Sequence, residues 1–147
     1  MKKKILIDII LPNYNNYSYL KTTISSVIKQ SFKSWRLLII DDCSNKKTIN
    51  LLKKYSNNKK IKIIFLKKNI GPGPCRNVGL KLTKAKYVAF LDSDDFWVKN
   101  KLEELLEIHF KGTISLCGYG EPLLHKDISY IVKKLSNISN VEVITNG

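Results

Sequence analysis

Four short apolar runs recur between residues 5 and 97, and each ends in a polar, turn-forming loop. Ile5 to Leu11 leads into Pro12-Asn13-Tyr14-Asn15-Asn16, and Arg36 to Ile40 into Asp41 to Asn45. Ile61 to Leu66 leads into Lys67 to Pro74, and Tyr87 to Leu91 into Asp92-Ser93-Asp94-Asp95. Between the runs the period changes. Leu20, Ile24, Val27 and Ile28 share one helical face while Lys21, Thr22, Ser25 and Lys29 take the other, with Ser18 as a cap. A short helix over Thr48 to Tyr55 follows, and another opens near Pro74. Strands alternating with helices predict parallel βαβ units, right-handed crossovers and a Rossmann-like, doubly wound, mainly parallel α/β sheet. Pro12 is expected to stop the first strand.

The run at Tyr87 to Leu91 is apolar enough to predict a strand in the middle of the sheet, covered on both faces. Just past it come three carboxylates, Asp92, Asp94 and Asp95. Their mutual repulsion calls for a divalent cation or a set of donors, and oxygen-only ligands favour Mg2+ or Mn2+ over zinc. The plainer alternative is a solvated turn with Asp95 capping the next helix. Open α/β sheets gather ligand groups at the carboxyl ends of their strands. On that rule the four loops converge, although the sequence separates them.

Each loop offers a binding role and a structural one. Asp42 can accept hydrogen bonds from a base imide or a ribose hydroxyl, or cap a helix beside Ser44. Tyr14 presents a flat face to a nucleobase, with Pro12 fixing the chain that carries it, or the pair is a strand-ending turn. Gly71 and Gly73 let backbone amides approach a ligand, though without the spacing of a dinucleotide or Walker fingerprint. Arg76 can pair with a phosphate, hold an acid of the Asp92 loop, or form a surface ion pair. After Trp97, Leu102, Leu105 and Leu106 predict an amphipathic helix to about His109.

Composition narrows the class. The chain has 147 residues, 44% of them hydrophobic, enough for a packed core. Its formal net charge of +14 invites a nucleic-acid reading, but Arg36 and Arg76 are the only arginines among 26 basic residues. Arginine is the usual reader of bases, so no specific nucleic-acid partner is expected. Attraction to anionic lipid or to a phosphorylated ligand fits the same charge. Cys43, Cys75 and Cys117 show no zinc or CxxC spacing, and no run is apolar enough for a signal peptide or membrane span. A cytoplasmic protein follows as the expectation, with peripheral contact at the inner face of a membrane compatible with its charge.

Taken in order, these loops resemble the donor-binding half of a family 2 glycosyltransferase of GT-A fold, over about residues 5–108. The matching stretches are Ile9 to Asn15, Ser26 to Phe32, Leu38 to Ser44, Asn69 to Leu80 and Tyr87 to Trp97. Cys43 and Cys75 stand where the family usually has glycine and alanine. The resemblance implies that Pro12, Tyr14, Asn15 and Asp42 hold the nucleoside of a nucleotide sugar, most often a UDP-sugar, with Arg76 beside it. It implies that Asp92, Asp94 and Asp95 form a DxD-type site for Mg2+ or Mn2+, with Asp94 also touching the substrate. The implied reaction is inverting transfer of the sugar to a hydroxyl on a glycan, lipid-linked or other acceptor. No residue of the chain matches the family's general base, so the catalytic residue is unassigned. The alternative is a binding-only fragment that holds a nucleoside diphosphate and transfers nothing.

The remaining stretch looks different. Ile114 to Ile128 and Val141 to Gly147 are similar to a segment of radical S-adenosylmethionine enzymes, which would put Gly118, Gly120, Glu121 and Pro122 at the cofactor's methionine end. The CxxxCxxC motif is missing, so no iron-sulfur cluster is expected. His125 reads as a loop residue. The expected organisation is therefore a nucleotide-sugar-binding domain over 1–110 and a βαβ segment over 111–147, as a truncated or fused reading frame would produce.

Overall fold

The computed structural model describes residues 6–107, 113–116 and 140–143, and the chain divides into two compact units, Met1–Leu105 and Leu106–Gly147. In the first unit, strands β1 (Ile7–Asn13), β2 (Trp35–Asp41), β3 (Ile61–Phe65) and β4 (Tyr87–Phe90) form one wholly parallel sheet. Helices α1 (Tyr17–Ile28), α2 (Lys46–Lys53) and α3 (Pro72–Leu82) connect them, and α4 (Lys101–Glu107) follows. The order is β3-β2-β1-β4: the chain steps outward from β1 to β3, then recrosses to put β4 on the free side of β1. Right-handed crossovers therefore set α1 and α2 on one face and α3 on the other. The doubly wound, Rossmann-like α/β class read from the sequence is the class observed.

Burial on both faces explains why the central strands do not alternate in polarity. Ile9, Ile10, Leu11, Leu37, Leu38, Ile39 and Ile40 are all fully buried. On the α3 face, Ile10, Leu38, Ile40 and Cys75 form a cluster against which Val78, Leu82 and Val88 pack. The helix comes close because Gly79 has no side chain: a Cβ there would lie 2.5 Å from Cγ2 of Ile10. At the opposite end of the sheet from the loops, the buried Asp8 carboxylate accepts two bonds from Arg36, at 2.8 and 2.7 Å, and another from the Thr83 hydroxyl. Burial alone would raise its pKa. The bonds from Arg36, Thr83 and the Lys84 amide outweigh that, and the pKa is lowered.

Several expectations need correction. β1 runs through Pro12, which pairs with Ile40, and ends at Asn13. Pro12 shares its outward side with Ile10, whose carbonyl accepts the Leu91 amide, and β4 pairing stops at Ile10, so the missing N–H of Pro12 faces no strand. β4 is not central but at an edge of the described sheet, with Tyr87 and Phe90 43% and 48% exposed. Its apolar composition gave no sign of which neighbours it would have. Ser18 lies within the first turn of α1, whose N-cap is Asn16. α2 begins earlier than expected because Asn45 caps it, accepting the Thr48 amide at 3.0 Å. α3 begins at Pro72, where a missing N–H costs nothing.

In the second unit, β5 (Thr113–Leu116) and β6 (Asn140–Val143) pair in parallel as a separate two-stranded sheet. The expected helix between them lies outside the described residues, as do Cys117, Gly118, Gly120, Glu121, Pro122 and His125. Among the described residues, no helix is long and apolar enough to cross a membrane.

Candidate functional site

The four loops do meet. A hollow of about 450 Å3 at the carboxyl rim is lined by Pro12, Asn13 and Tyr14 from the end of β1, and by Asp42 after β2. Asn69, Gly71, Pro72, Cys75 and Arg76 from the start of α3, and Asp92, Ser93 and Asp94 after β4, complete it. Its place between β1 and β4 is the sheet's switch point, where connections leave in opposite directions.

Asp42 organises one wall. It is almost fully buried, and its two carboxylate oxygens accept the amides of Ile70 and Gly71, both at 2.8 Å. Gly71 has φ 87° and ψ 163°, a conformation nearly restricted to glycine, and this is how the chain turns into α3. A carboxylate has about four lone-pair sites, so Asp42 keeps acceptor capacity for a ligand. Below it, burial first and then the Asp42 charge push the Cys75 thiol up to about 11, so it stays protonated at neutral pH and is no nucleophile. Pro72 and Pro74 carry no N–H, and Gly73, whose amide is the one unpaired donor of the first turn of α3, is not among the residues lining the hollow. Arg76, on the next turn, brings positive charge to the hollow itself.

A second network joins the ends of β1 and β2. Buried Asp41 accepts the Asn13 amide group at 2.7 Å and the Ser44 N–H at 3.1 Å. The side-chain oxygen Oδ1 of Asn13 is left buried without a partner among the described residues, while its backbone carbonyl accepts the Asp42 amide at 2.8 Å. Asn15, at φ 52°, gives its N–H to the Ser44 hydroxyl at 2.9 Å and accepts the Asn45 amide at 2.7 Å. Asn15 thus braces the turn and is not among the residues lining the hollow, because its left-handed backbone directs it toward Asn45. Pro12, Tyr14, Asp42, Arg76 and Asp94 do line it, and Tyr14 is 54% exposed.

The acids divide rather than cluster. Arg76 forms an ion pair with Asp92, the second of the roles open to it in the sequence. Asp94 lines the hollow with no partner for its carboxylate among the described residues, and Asp95 is exposed outside the lining. Among the described residues no three acidic, histidine or cysteine side chains form a ready-made metal cage. The chemistry of the donors still suits Mg2+ or Mn2+, which take one or two carboxylates and complete their shell with substrate phosphates and water. Asp94 fits that use; Asp92, neutralised by Arg76, fits it less well.

Sequence reasoning missed what holds the acid loop. Helix α1 grips it along its length. Asn16 donates to the Ser93 hydroxyl at 3.0 Å, Thr23 to the Ser93 carbonyl at 2.9 Å, and the Trp97 amide to the Ser26 hydroxyl at 3.1 Å. Gln30, fully buried, donates to the Val98 carbonyl at 2.6 Å and accepts the Leu102 amide at 3.1 Å. The signal was present: Thr23 is a polar residue on the α1 face that carries Leu20, Ile24 and Val27, and Gln30 continues the same spacing two residues past the helix end.

A parallel sheet with a polar hollow at its switch point, walled by an acid-bearing loop, is compatible with the GT-A fold, and solved glycosyltransferase structures share the fold. The TarS 1-349 structure from S. aureus in complex with UDP-GlcNAc superposes with a TM-score of 0.69 at 24% identity, covering 97% of this chain and 56% of that one. The sequence profile of Glycosyl transferase family 2 matches residues 8–120, and the chain belongs to that family. It is 38% identical over 125 residues to TuaG of Bacillus subtilis (strain 168), named for teichuronic acid biosynthesis, covering 84% of the chain and 50% of TuaG. It is also 38% identical over 154 residues to the poly(ribitol-phosphate) beta-N-acetylglucosaminyltransferase TarP of Staphylococcus aureus (strain N315), covering all of the chain and 46% of TarP. The chain thus spans about half the length of these relatives. The family match and the TarP alignment both run past residue 110, and nothing supports the likeness of the later residues to radical S-adenosylmethionine enzymes.

Proposed function

We propose that the hollow binds the nucleoside diphosphate of a UDP-sugar and that the chain supplies the donor half of an inverting, metal-dependent sugar transfer. The carrying observation is that Tyr14, Asp42, Arg76 and Asp94, from four separate loops, line one hollow. Each has a matching task. Tyr14 stacks the base, and Asp42 accepts from its imide or from the ribose while fixing the Gly71 turn. Arg76 faces the diphosphate, and Asp94 holds the cation. A divalent ion bound there would neutralise charge on the departing diphosphate. Asp92, paired with Arg76, keeps that guanidinium at the rim.

The acceptor is a hydroxyl of a glycan, a lipid-linked glycan or another hydroxyl-rich polymer, a reading supported by the polyol-phosphate polymer in TarP's name. A transfer and hydrolysis assay with UDP-GlcNAc and UDP-glucose tests it. Release of UDP that depends on Mn2+ and on added acceptor is the expected result. Tight UDP binding with no release under any condition would reduce the chain to a binding module.

A further inference from the structure

A second hollow, of about 500 Å3, lies on the exposed side of α1 and has no part in the donor site. Lys21, Lys29 and Lys99 line it together with Phe96 and Trp97, and no acidic side chain does. Phe96 and its neighbour Val98 are 69% and 58% exposed, a large apolar area to leave in water beside three cations. The surface is firmly held. The Trp97 amide is bonded to Ser26, the Val98 carbonyl to Gln30, and the Ser31 amide to the Lys99 carbonyl at 2.9 Å. Of the acids near it, Glu103 accepts the Ser31 hydroxyl at 2.6 Å, and Asp95, next to Phe96 in the chain, is exposed but outside the lining.

We infer that this face docks on an anionic lipid bilayer, the lysines meeting lipid phosphates and Phe96 entering the interface. Lysine suits that partner. It is a compact point charge that satisfies mobile phosphates without the fixed fork that arginine brings to one oriented ligand. A cationic face carrying exposed aromatic and aliphatic side chains matches the charge and the apolar boundary of such a surface together. A solvated lysine face would not also leave Phe96 and Val98 outward. The inference is independent of the donor reading.

Sedimentation of the full chain with phosphatidylcholine vesicles, with and without phosphatidylglycerol, tests it, with UDP binding measured in parallel. Binding is expected only with phosphatidylglycerol. The Lys21→Gln/Lys29→Gln/Lys99→Gln variant should weaken it about tenfold or more, and the charge-matched Lys53→Gln/Lys54→Gln/Lys59→Gln variant less than about threefold. Phe96→Ser, which leaves charge unchanged, should weaken it as well, and all variants should keep wild-type melting and UDP affinity. Equal loss in the two triple variants, or no loss in Phe96→Ser, would overturn the assignment. So would binding of a soluble polyol-phosphate polymer through the same lysines without vesicle binding, which would give the hollow to an anionic glycan instead.

Discussion

Asp42 and Gly71, 29 positions apart, are joined by a 2.8 Å hydrogen bond from the glycine amide to the carboxylate, and this bond holds the wall of the donor hollow. Replacing the acid by its amide leaves one of the two buried backbone donors facing an NH2 group. Asp42→Asn should cost about 1–3 kcal/mol of stability. It should also weaken UDP binding about tenfold, equivalent to about 1.4 kcal/mol. Urea denaturation and calorimetric titration read the two effects separately. Lost stability with unchanged affinity would confine Asp42 to a structural role.

Gly79 makes the fold depend on a missing methyl. A Cβ would fall 2.5 Å from Ile10, a β-branched side chain with no exposure and no room to move. Gly79→Ala should therefore destabilise the first unit by about 1–3 kcal/mol despite alanine's better helix propensity. An unchanged or raised denaturation midpoint would show that α3 can shift away from the sheet.

Much of this architecture was legible in advance, and the reason is physical. Buried parallel strands are largely apolar and open α/β sheets gather their loops at the carboxyl ends, so the meeting of the loops that carry Pro12, Tyr14, Asp42, Arg76 and Asp94 could be read from the alternation of strands and helices. What a strand's composition does not encode is its neighbours, so Tyr87 to Phe90 read as central although it lies at an edge of the described sheet. That Asn15 stands outside the lining was not legible, because its left-handed turn depends on Asn45 and Ser44, which local sequence does not bring near. Gln30 went unassigned because its partners, Val98 and Leu102, are some seventy positions away; only its place in the apolar spacing that continues past the end of α1 pointed to it.

That glutamine gives another prediction. Gln30→Leu removes a donor from the Val98 carbonyl, in the segment after the acid loop, and an acceptor from the Leu102 amide at the start of α4, while filling similar volume. Stability should fall by about 2–3 kcal/mol, and protection of the Leu102 amide from hydrogen exchange should fall with it. Unaltered exchange at Leu102 would mean that α4 holds the loop without Gln30.

Asp8 sets the response to acid. Its pKa is lowered in the folded state, so its stabilising contribution is complete above the ordinary carboxylate value of 3.8 and is lost as pH falls through the lower folded value. Asp8→Asn should cost about 3 kcal/mol at neutral pH, because Arg36 loses its partner. The difference from wild type should shrink progressively below about pH 4. A constant difference across that range would show that packing, not charge, explains the loss.

The most direct test of the donor site is titration of UDP with and without Mn2+, using the wild-type chain and the Asp94→Asn/Asp95→Asn variant. Wild type should bind UDP more tightly with the cation; the variant should melt at the same temperature or slightly higher, with repulsion relieved, and show no response to Mn2+. An identical Mn2+ enhancement in both proteins would contradict the assignment of these acids, and no UDP binding by the wild type would contradict the site itself.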